Sequence, residues 1–158
     1  MVSLLNPDNQ NGRAYALRTQ AAADALGLRL QVLTAHTEAD LEAAFAIMVQ
    51  QRADALLVIA DPFFIARRER FVALAAGHAI PAIYPTHWFL ECGGLMSYGG
   101  DPESLYQQVG TYTGRILKGA DPVDLPIQQN TTYERSTSKP PRLLASLCRP
   151  HWLRAPMK

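Results

Sequence analysis

Apolar positions along the chain switch repeatedly between short continuous runs and a helical period, and the switching defines the elements. Val2–Leu5 is a short apolar run that reads as a buried strand, closed by Asn6-Pro7. A helix is predicted from Gly12 to Leu26, with Gly27 placed as its stop. Leu28–Leu33 reads as a second strand, and its polar Arg29 and Gln31 place it at a sheet edge. Thr37 with Asp40 forms a capping-box pair, after which Leu41, Ala44, Phe45, Met48 and Val49 build one apolar helical stripe. Ala55–Ala60 is apolar throughout, the signature of a central parallel strand buried on both faces. Asp61-Pro62 then caps and starts a helix predicted to run to Ala76, with Gly77 as its stop. Ile80–Tyr84 and Leu95–Tyr98 read as further strands separated by a loop at 85–94. Asp101-Pro102 opens a last helix reaching Lys118, and Ile127–Tyr133 is a candidate final strand.

One strand-then-helix unit recurs about every 25–28 residues, the spacing of βαβ units. The fold class is therefore α/β, a parallel sheet with flanking helices and right-handed crossovers. Ligands of such sheets sit at the carboxyl ends of the strands. A site is thus expected from the loops 6–11, 34–37, 61–64, 84–89 and 98–101.

Composition narrows the function classes. With 158 residues, 48% hydrophobic and 18% charged, the chain suits one globular unit with a real core. A net charge of +1 argues against a globally basic nucleic-acid binder, and no apolar run is long enough for a membrane helix. Charge is unevenly spread: no Asp or Glu follows Glu134, while Arg135, Lys139, Arg142, Arg149, Arg154 and Lys158 do. That stretch also carries four prolines, at 140, 141, 150 and 156, and no periodicity, so residues 130–158 are expected to form an irregular basic tail. The N-terminus has no basic, apolar and small-residue succession of a signal peptide, which leaves the chain as written in the cytoplasm.

The loop after the first strand, Asn6-Pro7-Asp8-Asn9-Gln10-Asn11-Gly12, is neither a dinucleotide fingerprint nor a P-loop. It offers side-chain amides beside a helix N-terminus, which suits a small anion such as a carboxylate; the same residues also serve as turn formers. Asp61 is a candidate acidic partner for an amino group, and equally an N-cap. Phe63, Phe64, Tyr84, Trp88, Phe89 and Tyr98 cluster at strand ends, where aromatic walls suit an apolar ligand portion or simply pack the core. His87 and Cys92 share a loop, without a second pair for a metal site. No G-x-S-x-G elbow is present, so the enzyme case is poor and neither cofactor nor metal is expected.

The segments ADPFFIARRERFVALAAGHAIPAIY, GGLMSYG and YTGRILKGADPVDLPIQQ, with the opening LLNPDNQN, resemble the substrate-binding proteins of ABC transporters, in the subfamily similar to tryptophan and tyrosine binders. The resemblance runs from about Val2 to about Gln129. It implies a type I periplasmic-binding-protein fold, of which residues 1–84 correspond to the second lobe and 85–129 to a crossover and part of the first. The early first lobe and the signal peptide of the family are expected to be missing, and the tail, where the family continues with a strand and helix, has the look of a shifted reading frame.

The resemblance further implies ligand-facing positions at Asn6, Asn9, Asn11, Asp61, Tyr98 and Gly99, a small carboxylate or amino-acid-like ligand, a transporter permease as partner, and a periplasmic location for the family. The expected function is a solute-binding component of an ABC importer, here truncated and impaired, with no nucleic acid as partner. The helix after Pro102, whose apolar stripe would lack its partner strands, is expected to self-associate. The alternative is a small doubly wound regulatory domain that binds a ligand or a partner protein. A third possibility is an enzyme built on Asp61 or on the His87–Cys92 loop.

Overall fold

A computed structural model describes residues 1–126 and the backbone of Tyr133–Thr137. Its elements run β1 (Val2–Leu5), α1 (Gly12–Ala25), β2 (Gln31–Thr34), α2 (Glu38–Gln50), β3 (Leu56–Val58), α3 (Pro62–Ala66), α4 (Arg68–Gly77), β4 (Ala82–Tyr84), α5 (Trp88–Glu91), β5 (Met96–Gly100), α6 (Pro102–Leu117), a 3-10 turn (Pro122–Asp124) and β6 (Tyr133–Thr137). The sheet order is β2-β1-β3-β4-β5-β6. The first five strands are parallel and β6 is antiparallel to β5. This is the α/β architecture expected from the alternation of periods.

The core lies on one face of the sheet. Val2, Leu4, Leu56, Val58, Ala82 and Tyr84 meet Leu41, Phe45 and Met48 of α2, Phe71, Val72 and Ala75 of α4, and Phe89 of α5. Aromatic rings dominate: Phe71 contacts Phe45, Phe64, Tyr84 and Phe89 edge to face, with centroids 5.4–6.2 Å apart. Each fully buried large side chain stabilises the fold by about 1.5–3 kcal/mol. Burial also pushes the Tyr84 hydroxyl well above the ordinary tyrosine range. On the other face α1 buries only Gly12 and Ala23.

Helix ends follow a common geometry. The Thr37–Asp40 capping box forms as expected, and Asp61 and Asp101 both cap helices that start with proline. Gly27 and Gly119 take the left-handed position after α1 and α6. Gly77, by contrast, is the last helical residue of α4, and Ala79 takes the left-handed position two residues later, at φ 53°. Arg52 does the same after α2, at φ 52°.

Three expectations are corrected. The single helix from Pro62 to Ala76 is broken at Arg67, which lets Phe64 and Phe71, seven residues apart, bring their rings to 5.4 Å. The loop at 85–94 holds the short helix α5. The tail expected to be irregular from residue 130 carries β6, whose backbone pairs with β5 from Met96↔Thr137 to Gly100↔Tyr133. An otherwise open sheet edge supplies unpaired backbone groups, and pairing satisfies them whatever the local composition. The rest of the expected tail, and 127–132 of the expected final strand, lie outside the described residues.

Candidate functional site

The strand order places a topological switch between β1 and β3. From β1 the chain turns through α1 to β2 on one side, and from β3 it turns through α3 and α4 to β4 on the other. The two loops part there and leave a crevice at the carboxyl ends of the strands, where open α/β sheets hold their ligands.

Asn6 and Asn9 come from the loop after β1, and Asp61 from the residues after β3. Asp61 is only 3% exposed. Its Oδ1 accepts from Asn6 Nδ2 at 3.0 Å and from the Phe63 N–H at 2.8 Å, and its Oδ2 accepts from Asn9 Nδ2 at 2.9 Å. The amide oxygens turn inward: Asn6 Oδ1 accepts from the Asp8 N–H and Asn9 Oδ1 from the Asn11 N–H, each at 3.0 Å. These are Asx turns, so the loop is rigidified by the side chains that face the crevice. Asp61 is therefore an N-cap and a partner of both amides at once. A carboxylate has about four acceptor positions, so one remains on Oδ2, and each amide keeps one N–H. An open cleft of ≈ 320 Å³ is lined by Asn6, Asp8, Asn9, Asp61, Pro62 and Phe63.

Phe63 forms one wall. The Arg67 guanidinium carbon lies 4.2 Å from its ring centroid, and Arg67 Nε pairs with Glu38 Oε1 at 3.1 Å. The i, i+4 spacing of Phe63 and Arg67 is the sequence signal for this contact.

The other expected site residues fall elsewhere. Asn11 stands at the start of α1 and makes no side-chain cap bond. Tyr98 and Gly99 lie on β5, separated from β3 by β4, and do not line this cleft. At Gly99 an added Cβ would fall 1.9 Å from the Pro85 carbonyl oxygen, so glycine there is what lets the β4 end approach β5. His87 and Cys92 stand at opposite ends of α5. Among the described residues no group of three or more His, Cys, Asp or Glu is placed to hold a metal. A larger hollow of ≈ 620 Å³, lined by Arg29, Arg52 and Asp54 among others, opens at the amino ends of the strands, away from the switch point.

A doubly wound sheet with a polar cluster at its switch point is the arrangement at which open α/β sheets hold small ligands. The chain belongs to the family of ABC transporter substrate binding proteins, whose model matches residues 1–135. That family is a substrate-binding class and not an enzyme class. Among solved structures, a conserved domain protein from Vibrio cholerae is similar at 21% identity, with a TM-score of 0.78 over 92% of this chain and 48% of that one. An ABC domain from Streptococcus pneumonia in complex with L-Trp is similar at 21% identity, with a TM-score of 0.76 over 92% of this chain and 50% of that one. The ligand-free, open structure of a substrate-binding protein with adhesive properties from Clostridium difficile matches at 18% identity, with a TM-score of 0.63 over 92% of this chain and 48% of that one. These likenesses show the fold, and the chain spans about half the length of each neighbour. No curated protein matches the chain. Among the described residues no helix is long and apolar enough to cross a membrane.

Proposed function

We propose that this chain supplies one ligand-holding lobe of a solute-binding component of an ABC importer, with a permease as partner and the periplasm as the family's place of work. The observation that carries this reading is the Asn6–Asp61–Asn9 cluster at the β1/β3 switch point. Its free groups match an amino-acid-like head group. The remaining acceptor position on Asp61 Oδ2 suits an ammonium, and the spare amide N–H groups beside the α1 N-terminus suit a carboxylate. The family membership and the L-Trp-bound neighbour support a small, amino-acid-like solute.

In this reading residues 1–84 form the second lobe and 85–129 the crossover with part of the first, an assignment favoured by α6 burying none of its side chains. A clamp of two lobes buries its ligand from both sides. Half of the contacts of a micromolar ligand leave binding at about millimolar or weaker, so the chain alone is impaired. The test is an NMR titration with amino acids, aromatic acids and short carboxylates. Millimolar-range shifts at Asn6, Asn9 and Phe63, lost in Asp61→Ala, are expected. A ligand of micromolar affinity, or shifts confined to another surface, would refute it.

A further inference from the structure

The cleft at the switch point carries charge of one sign. Two carboxylates, Asp8 and Asp61, line it together with the neutral Asn6, Asn9, Pro62 and Phe63, and no Lys, Arg or His does. Asp61 is 3% exposed, yet its three hydrogen bonds all come from neutral N–H donors. Among the described residues neither Asp61 nor Asp8 forms an ion pair. Arg67, which lies on the Phe63 ring, is not part of the lining, and Glu38 matches its charge. Withdrawing a carboxylate from water is costly, and buried charges are ordinarily matched by an opposite one.

We infer that this lobe selects solutes of net positive charge: an organic amine whose ammonium meets Asp61 and Asp8 and whose apolar part lies against Phe63, with no need of a carboxylate. The inference rests on the switch-point cleft being the ligand site, and it narrows the amino-acid-like solute proposed for it. Relative magnitudes decide the sign. Against two full negative charges, α1 sets the partial positive charge of a helix start, about half a unit, and Asn11 adds no side-chain cap bond there. A ligand carboxylate reaching the spare N–H groups of Asn6 and Asn9 stands beside Asp61, which those same amides already hold. Repulsion between like charges then offsets what the neutral donors contribute. Asp8 is fixed at the rim by its own N–H, which donates to Asn6 Oδ1 at 3.0 Å, while the residue itself stays exposed to an incoming ammonium.

The experiment is an NMR titration of the whole chain with three probes that share a phenylethyl body and differ in charge: 2-phenylethylamine, L-phenylalanine and 3-phenylpropionate. Shifts are read at the backbone amides of Asn6, Asp8, Asn9 and Phe63. The amine is expected to bind at least as tightly as L-phenylalanine, and about tenfold or more tighter than 3-phenylpropionate. Asp8→Asn keeps the N–H that holds the turn. It is expected to weaken the amine about threefold and L-phenylalanine by less, because the zwitterion also loses a repulsion; a merely structural change weakens all probes alike. The inference is overturned if 3-phenylpropionate binds as tightly as the amine, or if Asp8→Asn weakens all three probes equally. L-phenylalanine binding about tenfold tighter than the amine overturns it too, but leaves the amino-acid reading in place. If no probe shifts the cluster, both readings fall.

Discussion

Replacing Asp61 by alanine takes the acceptor away from three donors at once. The Phe63 N–H loses its cap, which typically costs about 1 kcal/mol. The amides of Asn6 and Asn9 lose hydrogen bonds to a buried carboxylate, a kind worth about 1.5–3 kcal/mol each when nothing replaces them. Both amides border an open cleft and regain part of that from water, which sets the whole effect at about 3 kcal/mol. For a domain of this size that is a fall in melting temperature of about 10 °C. Urea unfolding followed by circular dichroism reads the free energy, and a thermal scan reads the shift. Asp61→Asn, which keeps an acceptor for Phe63 N–H but sets an NH₂ against one amide, is expected to recover about 1 kcal/mol of the loss. An Asp61→Ala protein melting within about 2 °C of the parent would show that the cluster does not form, and the argument for the site falls with it.

Other parts of the fold yield independent tests. Phe71→Ala, at the centre of four ring contacts, is expected to cost about 3–5 kcal/mol in denaturant unfolding; a loss below about 1.5 kcal/mol contradicts the core described. Ala79→Gly is expected to stabilise the protein by about 0.5–1 kcal/mol, because glycine relieves the left-handed strain by more than it adds in chain entropy; a lower melting temperature counts against that geometry. At the start of α2, the Thr37 hydroxyl and then the His36 N–H hold the Asp40 carboxyl below its ordinary value of 3.8. Its contribution to stability is thus present above that value and lost as pH falls through the lowered one. Thr37→Ala should raise the Asp40 midpoint in an NMR pH titration and cost about 1 kcal/mol of stability, and an unmoved midpoint rules out the hydroxyl as the main cause.

Signals that act within one element are legible in the sequence alone. The Thr37–Asp40 box and the two Asp-Pro pairs each act within a few residues, so their capping bonds followed from spacing alone. The apolar stripe of α2 was equally plain, with Leu41, Ala44, Phe45 and Met48 all buried. What depends on distant partners was not. The bond between Asn9 and Asp61 joins residues 52 positions apart and exists only because β1 and β3 are neighbours. The break at Arg67 has no glycine or proline to announce it, and it accompanies a ring contact between Phe64 and Phe71, seven residues apart in the chain. β6 hid within a stretch whose composition reads as tail, because an edge strand takes its order from the ladder it joins. Tyr98 and Gly99, which the resemblance implies as ligand-facing, lie on β5, with β4 between that strand and β3.

The position of β1 has a consequence for how the chain is made. Val2 is in register with Gln31 on one side and with Leu56 on the other, so a strand paired on both edges is synthesised before either neighbour. Until β3 has left the ribosome, Val2, Leu4 and Leu5 have no apolar lining on their far side, and neither of the loops that meet at the switch point is in place. Parallel pairings of this separation close slowly, since the ends of a long segment must meet before any contact rewards the encounter. An arrested chain ending short of Leu56 carries a strand open along one edge, a surface that chaperones and other nascent chains bind. The cleft and the sheet are thus completed in the same step, when β3 slots in beside β1.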